Sequence, residues 1–198
     1  MNALFTVGHS SHSIEGLLQL LLQHQIQAVA DVRSRPYSRH FPCFSKEPLE
    51  LSLKSAGIHY VFLGRELGAR RDERACYIEN AVSYDLVAAT PAFAKGLERL
   101  QEGLQNHRIA LLCAEKDPLD CHRTILIARH AKRFAQVIHI LADGSLETHQ
   151  EAENRLLRRF EWSDEDLFRP HETRLAEAYA RRGRELAWVE SGTKESPL

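Results

Sequence analysis

Short apolar runs alternate along the chain with longer segments in which apolar residues recur at helical spacing. Five of these runs have the length and composition of β-strands, and they cover residues 4–7, 27–33, 58–63, 109–113 and 137–141. Because helical segments separate the runs, the pattern predicts parallel strands joined by crossover helices. The predicted fold class is α/β, with three layers: a mainly parallel five-stranded sheet and helices on both of its faces.

Capping residues mark the ends of the helices between these strands. Ser13 suits the N-cap of the first helix, and Thr90 suits the N-cap of a later one. A helix that starts near Pro48 ends at Gly57, which supplies the left-handed backbone position after a helix. The last helix before the fifth strand is predicted over residues 121–134. These punctuation signals support the alternating strand and helix assignment.

The chain changes character after the fifth strand, where Asp143 and Gly144 predict a turn. From His149 onward it is dense in arginine and glutamate, with only sparse apolar positions, which indicates helices packed onto the preceding domain. We therefore divide the chain into an α/β domain (1–148), a helical C-terminal extension (149–190) and a flexible tail (191–198).

Composition places the chain among globular proteins. It has 198 residues, of which 43% are hydrophobic and 27% are charged, as expected for one domain with a modest extension and not for a disordered or fibrous chain. The net charge of −1 excludes a protein that coats duplex nucleic acid through bulk positive charge. Neither a secretory signal nor an apolar run long enough to span a bilayer occurs, so no membrane partner is expected.

The four cysteines are irregularly spaced and do not form a disulfide framework, which indicates a reducing, cytoplasmic compartment. Cys113 and Cys121 flank a loop that would let their sulfurs meet, but we expect both thiols to remain unbridged.

Arginines are concentrated in the segments that follow the predicted strands. In a parallel sheet these segments share one edge, where ligands of open α/β sheets bind. Such a cluster in a nearly neutral protein points to an anionic ligand, because the guanidinium fork matches phosphate or carboxylate. The alternative is that the same side chains form surface ion pairs with neighbouring carboxylates. The arginines are Arg33, Arg35, Arg39, Arg65, Arg70, Arg71 and Arg123.

The segment after the fourth strand carries the most distinctive chemistry. Cys113 ends the strand, Glu115 follows two residues later, and His122 and Arg123 stand at the start of the next helix. This places a candidate nucleophile, an acid/base and an anion clamp within one loop. A buried cysteine at the end of an apolar run is more often a small core residue than a nucleophile, and Cys121 has the same two interpretations.

Three more strand-end residues complete the candidate site. His9 and Asp31 are candidate catalytic groups, with Asp31 alternatively orienting a neighbouring arginine or histidine, and Ser10 is a candidate phosphate donor. Histidines and cysteines at these positions could also bind a metal, but no pair has the short sequence spacing of a chelate loop. We therefore assign no metal ligand, and the sequence indicates no particular cofactor. It contains neither of the common glycine-rich nucleotide loops.

Several separated motifs together resemble the DUF488 family, a family of unknown function, over about residues 4 to 145. They are Thr6-Val7-Gly8-His9-Ser10, Asp31-Val32-Arg33 with Pro36 and Ser38, Gly57-Ile58, Leu67-Gly68-Ala69-Arg70, and Leu112-Cys113-Ala114-Glu115 with Pro118 and Cys121-His122-Arg123. Where relatives often carry Gly-Gly, this chain has Gly68-Ala69. The resemblance implies an α/β fold in which His9, Ser10, Asp31, Arg33, Glu115, Cys121, His122 and Arg123 line one site.

Two functions fit these observations. The first is an enzyme, a hydrolase or transferase, that acts on a phosphate-bearing small molecule, nucleotide or nucleic-acid end. In this interpretation the arginines bind the anion, His122 or Glu115 is the acid/base, and Cys113 is the nucleophile. The second is a non-catalytic module that binds nucleotide or nucleic acid in the same crevice, with added phosphate contacts from basic C-terminal segments. Those segments are residues 155–159 and 181–184.

Overall fold

The computed structural model describes residues 2–161 and 169–190, and its framework is a central β-sheet. Eight strands lie within these residues: β1 (Ala3–Gly8), β2 (Ala28–Asp31), β3 (His59–Phe62), β4 (Tyr77–Ile78), β5 (Ala81–Val82), β6 (Ile109–Cys113), β7 (Gln136–Ile140) and β8 (Leu146–Thr148). Six of them form the central sheet in the order β3-β2-β6-β1-β7-β8, and β4 pairs with β5 in a small antiparallel ribbon. The five predicted strands are all present and mutually parallel.

The sixth strand of the central sheet was not predicted. β8 pairs antiparallel with β7 after the chain reverses at Asp143 and Gly144, where Gly144 has φ of +85°. It has only three residues, two of which, Glu147 and Thr148, are polar, so it lacks the apolar run by which the other strands are recognisable. The sheet is therefore six-stranded, with one antiparallel strand at its edge.

Strand residues alternate between two hydrophobic cores, one on each face of the sheet. Leu4 and Leu111 belong to one core, while their neighbours Phe5 and Leu112 belong to the other. This is the two-residue period of a β-strand applied to strands that are buried on both sides. Because both faces of these strands are buried, they appear in the sequence as continuous apolar runs.

Helices cover both faces and bury their apolar stripes against these cores. Helices α1 and α2 contribute Leu17 and Leu49 to the core that holds Phe5, while α5 and α8 contribute Leu97 and Leu175 to the other core. The α-helices are α1 (Ile14–Gln23), α2 (Lys46–Ser55), α3 (Gly64–Leu67), α4 (Tyr84–Ala88), α5 (Pro91–Gly103), α6 (Arg129–Ala131), α7 (His149–Arg159) and α8 (His171–Leu186). Short 3₁₀ turns cover Pro42–Phe44, Arg74–Cys76 and Pro118–Asp120.

The predicted capping residues have the expected geometry. The hydroxyl of Ser13 accepts a hydrogen bond from the backbone N–H of Gly16, and that of Thr90 accepts one from the N–H of Phe93. Gly57 follows α2 with φ of +75°, in the left-handed region that glycine adopts without a steric penalty. These local signals placed the starts of α1 and α5 and the end of α2, whereas α2 begins at Lys46, ahead of the predicted start near Pro48.

The helix predicted over residues 121–134 differs from an ordinary α-helix. It begins as a π-helix, Arg123–Ala128, and continues as the short α6. All six residues of the π-helix are buried, and such wide turns are frequent at functional sites. The π-helix starts directly after Cys121 and His122, so it helps to fix both side chains.

The C-terminal part is helical, as predicted, and it also returns to the central fold. Val189, beyond α8, forms a β-bridge with Ala81. The predicted tail, 191–198, lies outside the described residues. Across the described ranges, no helix combines the length and the apolar character that crossing a bilayer requires.

Candidate functional site

A cavity of about 690 Å³ lies at the edge of the sheet where β1, β2 and β6 end. The structure brings most of the predicted site residues to its wall: His9, Arg33, Arg35, Arg70, Cys113, Glu115, Cys121 and His122. Ser10, Asp31 and Arg123 are not among the described residues that line it. Most of the residues selected at the strand ends therefore share one cavity, and other segments supply the rest of its wall.

Three groups at this cavity form what we call the thiol–imidazole triangle: Cys113, Cys121 and His122. Nδ1 of His122 lies 3.6 Å from Sγ of Cys113 and 3.7 Å from Sγ of Cys121. The other ring nitrogen, Nε2, donates to the carbonyl oxygen of Val32 at 3.1 Å. The backbone N–H of Arg123 donates to Sγ of Cys121 at 3.4 Å. All three side chains of the triangle are buried, and both thiols are unbridged.

The two thiols of the triangle differ in acidity. Burial alone would raise the pKa of Cys121, but the hydrogen bond from Cys113 and the charges of Arg123 and His122 hold it well below its ordinary value. The pKa of Cys113 is raised well above its ordinary value, first by that same hydrogen bond and then by burial. Although burial lowers the pKa of His122, the neighbouring Cys121 raises it overall. Cys121 is therefore the more acidic thiol of the pair, whereas the sequence pointed to Cys113 as the possible nucleophile.

Glu115 and His9 present different chemistry to the same cavity. Glu115 is exposed at the wall, and desolvation followed by the charge of Cys121 raises the pKa of its carboxyl group. His9 stacks on Phe44 with ring centroids 4.3 Å apart, and burial together with Arg33 lowers its pKa to about 4. Near neutral pH, His9 is an uncharged wall of the cavity. Glu115 is a carboxyl group there that can exchange a proton with a ligand.

Asp31 and Arg33 form a buried pair. Arg33 donates from Nε and NH2 to the two carboxylate oxygens at 2.9 and 2.6 Å, and its NH1 donates to the carbonyl oxygen of Phe44 at 2.7 Å. The second oxygen of Asp31 also accepts the hydroxyl proton of Tyr60 at 2.8 Å. Asp31 is thus occupied and fully buried, so it orients Arg33 and has no access to a ligand. This corrects its assignment as a catalytic residue.

Arg123 is a structural residue and not an exposed anion clamp. Its side chain is fully buried, and it donates to the carbonyl oxygens of Glu115 at 2.7 Å and Lys116 at 3.2 Å. It therefore holds the loop after β6 against the start of the π-helix. Gly8 packs against the same loop, and a Cβ at this position would lie 1.8 Å from the Glu115 carbonyl oxygen. The arginine and the glycine together fix where Cys113 and Glu115 stand.

The arginines available to a ligand are Arg35 and Arg70. Both are exposed and line the cavity, and neither forms an ion pair with any described residue. The guanidinium of Arg70 lies over the ring of Trp188, 5.6 Å from its centroid. The expected cluster of seven is smaller in the structure, because Arg39, Arg65, Arg71 and Arg123 do not line the cavity.

Ser10 has a backbone role. It adopts φ of +44°, and its N–H donates to the carbonyl oxygen of Ala114 at 2.8 Å, next to the bond from His9 N–H to Cys113 at 2.9 Å. These bonds join the loop after β1 to the loop after β6. Its place outside the cavity wall gives no support to the predicted role as a phosphate donor.

Part of the cavity wall comes from segments that sequence reasoning did not select. They include Tyr84, Leu186 at the end of α8, and the residues that follow it, Ala187, Trp188 and Val189. Val189 reaches this position through its bridge to Ala81. No local pattern announces a pairing between residues so far apart in sequence.

One comparison with known proteins gave a match. A family model described as "Domain of unknown function DUF488" matches residues 13–130, which include the whole triangle and Glu115. No curated protein and no solved structure matched the chain.

Proposed function

The chain belongs to the DUF488 family, and we propose that it is an enzyme, a hydrolase or transferase, that acts on an anionic, phosphate-bearing small molecule in the cavity at the strand ends. One observation carries the proposal. The triangle, an exposed carboxylate and two arginines without ion-pair partners among the described residues all face one cavity. At about 690 Å³, its volume is within the range of small-molecule sites.

Substrate binding falls to Arg35 and Arg70. Their guanidinium groups are exposed and uncompensated by carboxylates of the described residues, so an anion entering the cavity gains charge-assisted hydrogen bonds without displacing an internal partner. The ring of Trp188 supports Arg70 from one side. Arg33 also lines the cavity, but Asp31 neutralises it, and it acts as a fixed wall.

Proton transfer falls to Glu115. It stands two residues beyond Cys113 on the loop that Arg123 and Gly8 hold in place, so its backbone is fixed relative to the triangle. In the reaction it removes a proton from the attacking group and returns that proton to the leaving group. The triangle lies next to Glu115 and supplies the nucleophile of the reaction. The arginines stabilise the charge that develops on the substrate.

A second candidate, a non-catalytic nucleotide-binding module, is favoured by Tyr37. This residue lines the cavity and is 74% exposed, beside Arg35, so its ring is available for stacking on a base. The basic C-terminal segments add little to this function. Arg155 pairs with Asp117 and Glu147, Arg159 and Arg182 pair with Asp120, and Arg181 pairs with Glu185.

Thermal shift with an anion panel tests the binding step. The panel holds inorganic phosphate, pyrophosphate, nucleoside mono-, di- and triphosphates, and a short single-stranded DNA. We expect a phosphate-bearing compound to raise the Tm of the wild type, and Arg70→Gln to lose this shift. Arg39→Gln is the matched control, because Arg39 is exposed but lies outside the cavity wall. If no anion raises the Tm of the wild type, the proposed substrate class is wrong.

Turnover of the compounds that bind separates the enzyme from the binding module. Glu115→Gln keeps the size of the side chain and removes its acid/base function. We expect it to lower turnover by roughly 10²- to 10⁴-fold while the ligand-induced Tm shift persists. If a ligand binds through Arg70 but the wild type never converts it, the enzyme is ruled out for that ligand. The result then supports the second candidate, the non-catalytic binding module.

A further inference from the structure

We propose that the thiol–imidazole triangle binds one zinc ion, through Sγ of Cys113, Sγ of Cys121 and Nδ1 of His122, with its remaining coordination position facing the cavity. The three atoms lie within 4.8 Å of one another. This inference rests on the proposed function, because it names the source of the nucleophile in that site. It also favours the hydrolase over the transferase.

The two nitrogen–sulfur distances in the triangle are those of a zinc coordination shell. Sulfur at about 2.3 Å and nitrogen at about 2.0 Å from a tetrahedral zinc lie about 3.5 to 3.8 Å apart. The distances from Nδ1 of His122 to the two sulfurs are 3.6 and 3.7 Å. Nδ1 of His122 therefore stands at the distance from each sulfur that a shared zinc ion requires.

The orientation of His122 is also that of a metal ligand. A ligating histidine typically donates its second ring N–H to a carbonyl or carboxylate, which fixes both the tautomer and the ring plane. Here Nε2 of His122 donates to the Val32 carbonyl oxygen at 3.1 Å, which leaves the lone pair of Nδ1 in the neutral ring directed to the sulfurs. The N–H of Arg123, which donates to Sγ of Cys121, stabilises negative charge on that sulfur.

The number of ligands points to a catalytic ion and not a structural one. Structural zinc sites have four protein ligands, whereas catalytic sites have three and keep one position for water or substrate. Within residues 2–161 and 169–190, no fourth cysteine, histidine or carboxylate atom belongs to the group. His9 lies nearby on the cavity wall, but its Nε2 is 3.4 Å from NH1 of Arg33.

The ion supplies the nucleophile of a hydrolysis. A water bound at the open position loses a proton to Glu115, and the resulting hydroxide attacks the electrophilic carbon or phosphorus of the substrate. The bond from that atom to the leaving group then breaks, and Glu115 returns the proton to the leaving group. One water is consumed, and no oxidant or reductant is needed. Arg35 and Arg70 hold the anionic part of the substrate during these steps.

Cobalt substitution tests the site without any assay of activity. The full chain is reduced, stripped with a chelator and titrated with cobalt chloride, and then with zinc chloride. Tetrahedral cobalt bound to thiolates gives intense visible bands and a sulfur charge-transfer band in the near ultraviolet. We expect these bands to saturate at one cobalt per chain, and we expect zinc to bleach them.

Variants show which residues hold the ion. Cys113→Ser, Cys121→Ser and His122→Gln should each weaken cobalt binding by more than the roughly 10- to 100-fold loss that follows removal of an outer partner. Cys43→Ser is the matched control, because this thiol lies outside the cavity wall. Thiol titration of the folded wild type is a second measurement that needs no variant: zinc should protect Cys113 and Cys121 from a thiol reagent.

The outcomes separate the zinc site from the proposed function. Absence of the cobalt bands with unprotected thiols, or an equal loss in Cys43→Ser, overturns the zinc site. If Arg70-dependent anion binding and turnover persist in that case, the proposed enzyme stands without the metal. If cobalt binds as expected but no anion raises the Tm of the wild type, the zinc site stands and the proposed substrate class fails.

Discussion

The triangle and a second buried cluster that contains histidines differ in how their polar groups are organised. The second cluster, which we call the histidine chain, joins β1 and β7 to α7 and α8. Thr6 Oγ1 lies 2.8 Å from Nδ1 of His139, and Nε2 of His139 lies 3.1 Å from Nδ1 of His149. The hydroxyl of Tyr179 lies 3.0 Å from Nε2 of His149 and donates to Glu153 at 2.8 Å.

Every polar group of the histidine chain has a partner along one continuous path. The hydroxyl of Tyr179 donates its proton to Glu153, so its oxygen accepts a hydrogen bond from Nε2 of His149. Nδ1 of His149 in turn accepts a hydrogen bond from Nε2 of His139. Lys132 neutralises Glu153 at the far end. None of these side chains lines the cavity at the strand ends. The histidine chain is therefore a closed structural network that holds the C-terminal helices on the sheet.

The triangle has the opposite organisation. Its three ligating atoms converge within 4.8 Å of one another instead of forming a line, and its residues line a cavity. Burial of a histidine therefore does not separate the triangle from the histidine chain. The two clusters differ in whether their polar atoms converge beside a cavity.

The largest expected effect comes from a substitution that breaks the histidine chain. His149→Ala should lower the free energy of unfolding by about 3 kcal/mol, since it leaves the buried groups of His139 and Tyr179 without partners. Cobalt binding and anion binding should stay unchanged. Urea unfolding measures the loss, and His40→Ala, at an exposed position, is the control. A loss of cobalt binding in His149→Ala would contradict the separation of the two regions.

The pH dependence of stability sharpens the same contrast. Burial, opposed by Glu153 and assisted by Lys132, lowers the pKa of His149 to about 4, and burial lowers that of His139 as well. A histidine that is neutral in the fold contributes stability above its unfolded pKa of about 6.5, and this is lost as the pH falls towards the folded value. We expect a loss of about 2 kcal/mol from His149 between about pH 7 and about pH 5.

Chemical unfolding at a series of pH values measures this loss, and the His149→Ala variant should show a flatter profile over the same range. A wild-type profile that stays level, or a variant profile as steep as that of the wild type, would show that His149 is not the titrating group.

Arg123→Lys tests the structural role of an arginine at the start of the π-helix. Lysine keeps the charge but cannot donate to the carbonyl oxygens of both Glu115 and Lys116 in the same geometry. We expect the free energy of unfolding to fall by about 2 kcal/mol. The Tm increase from a bound anion should stay as large as in the wild type. Unchanged stability together with weakened anion binding would instead restore Arg123 as an anion clamp.

The smallest expected effect concerns the triangle without metal. Cys113→Ser should change the unfolding free energy of the metal-free protein by less than about 1 kcal/mol, since the new hydroxyl can be hydrated from the cavity. Zinc should raise the Tm of the wild type and not that of this variant, because only the complete triangle binds the ion tightly in the folded state. Calorimetry with and without zinc measures both. Equal stabilisation of the two proteins by zinc would contradict this.

Much of the fold and the position of the site follow from the sequence. The five parallel strands, the caps at Ser13 and Thr90, and the helix end at Gly57 depend on residues close to one another in the chain. The gathering of His9, Arg33 and Cys113 at one sheet edge follows as well, because parallel strands end at the same edge. The edge strand β8 is an exception, since its three residues carry too little pattern.

The roles of individual residues were decided only by the tertiary structure. Sequence cannot distinguish Arg33 and Arg123, which are buried and fixed by internal partners, from Arg70, which faces the cavity. It equally does not determine that Cys121 is the more acidic of the two thiols, or that Trp188 lines the cavity. Hydrogen bonding within a helix, cap or turn is set by near neighbours, whereas burial, charge and pairing depend on segments that meet only when the whole chain has packed.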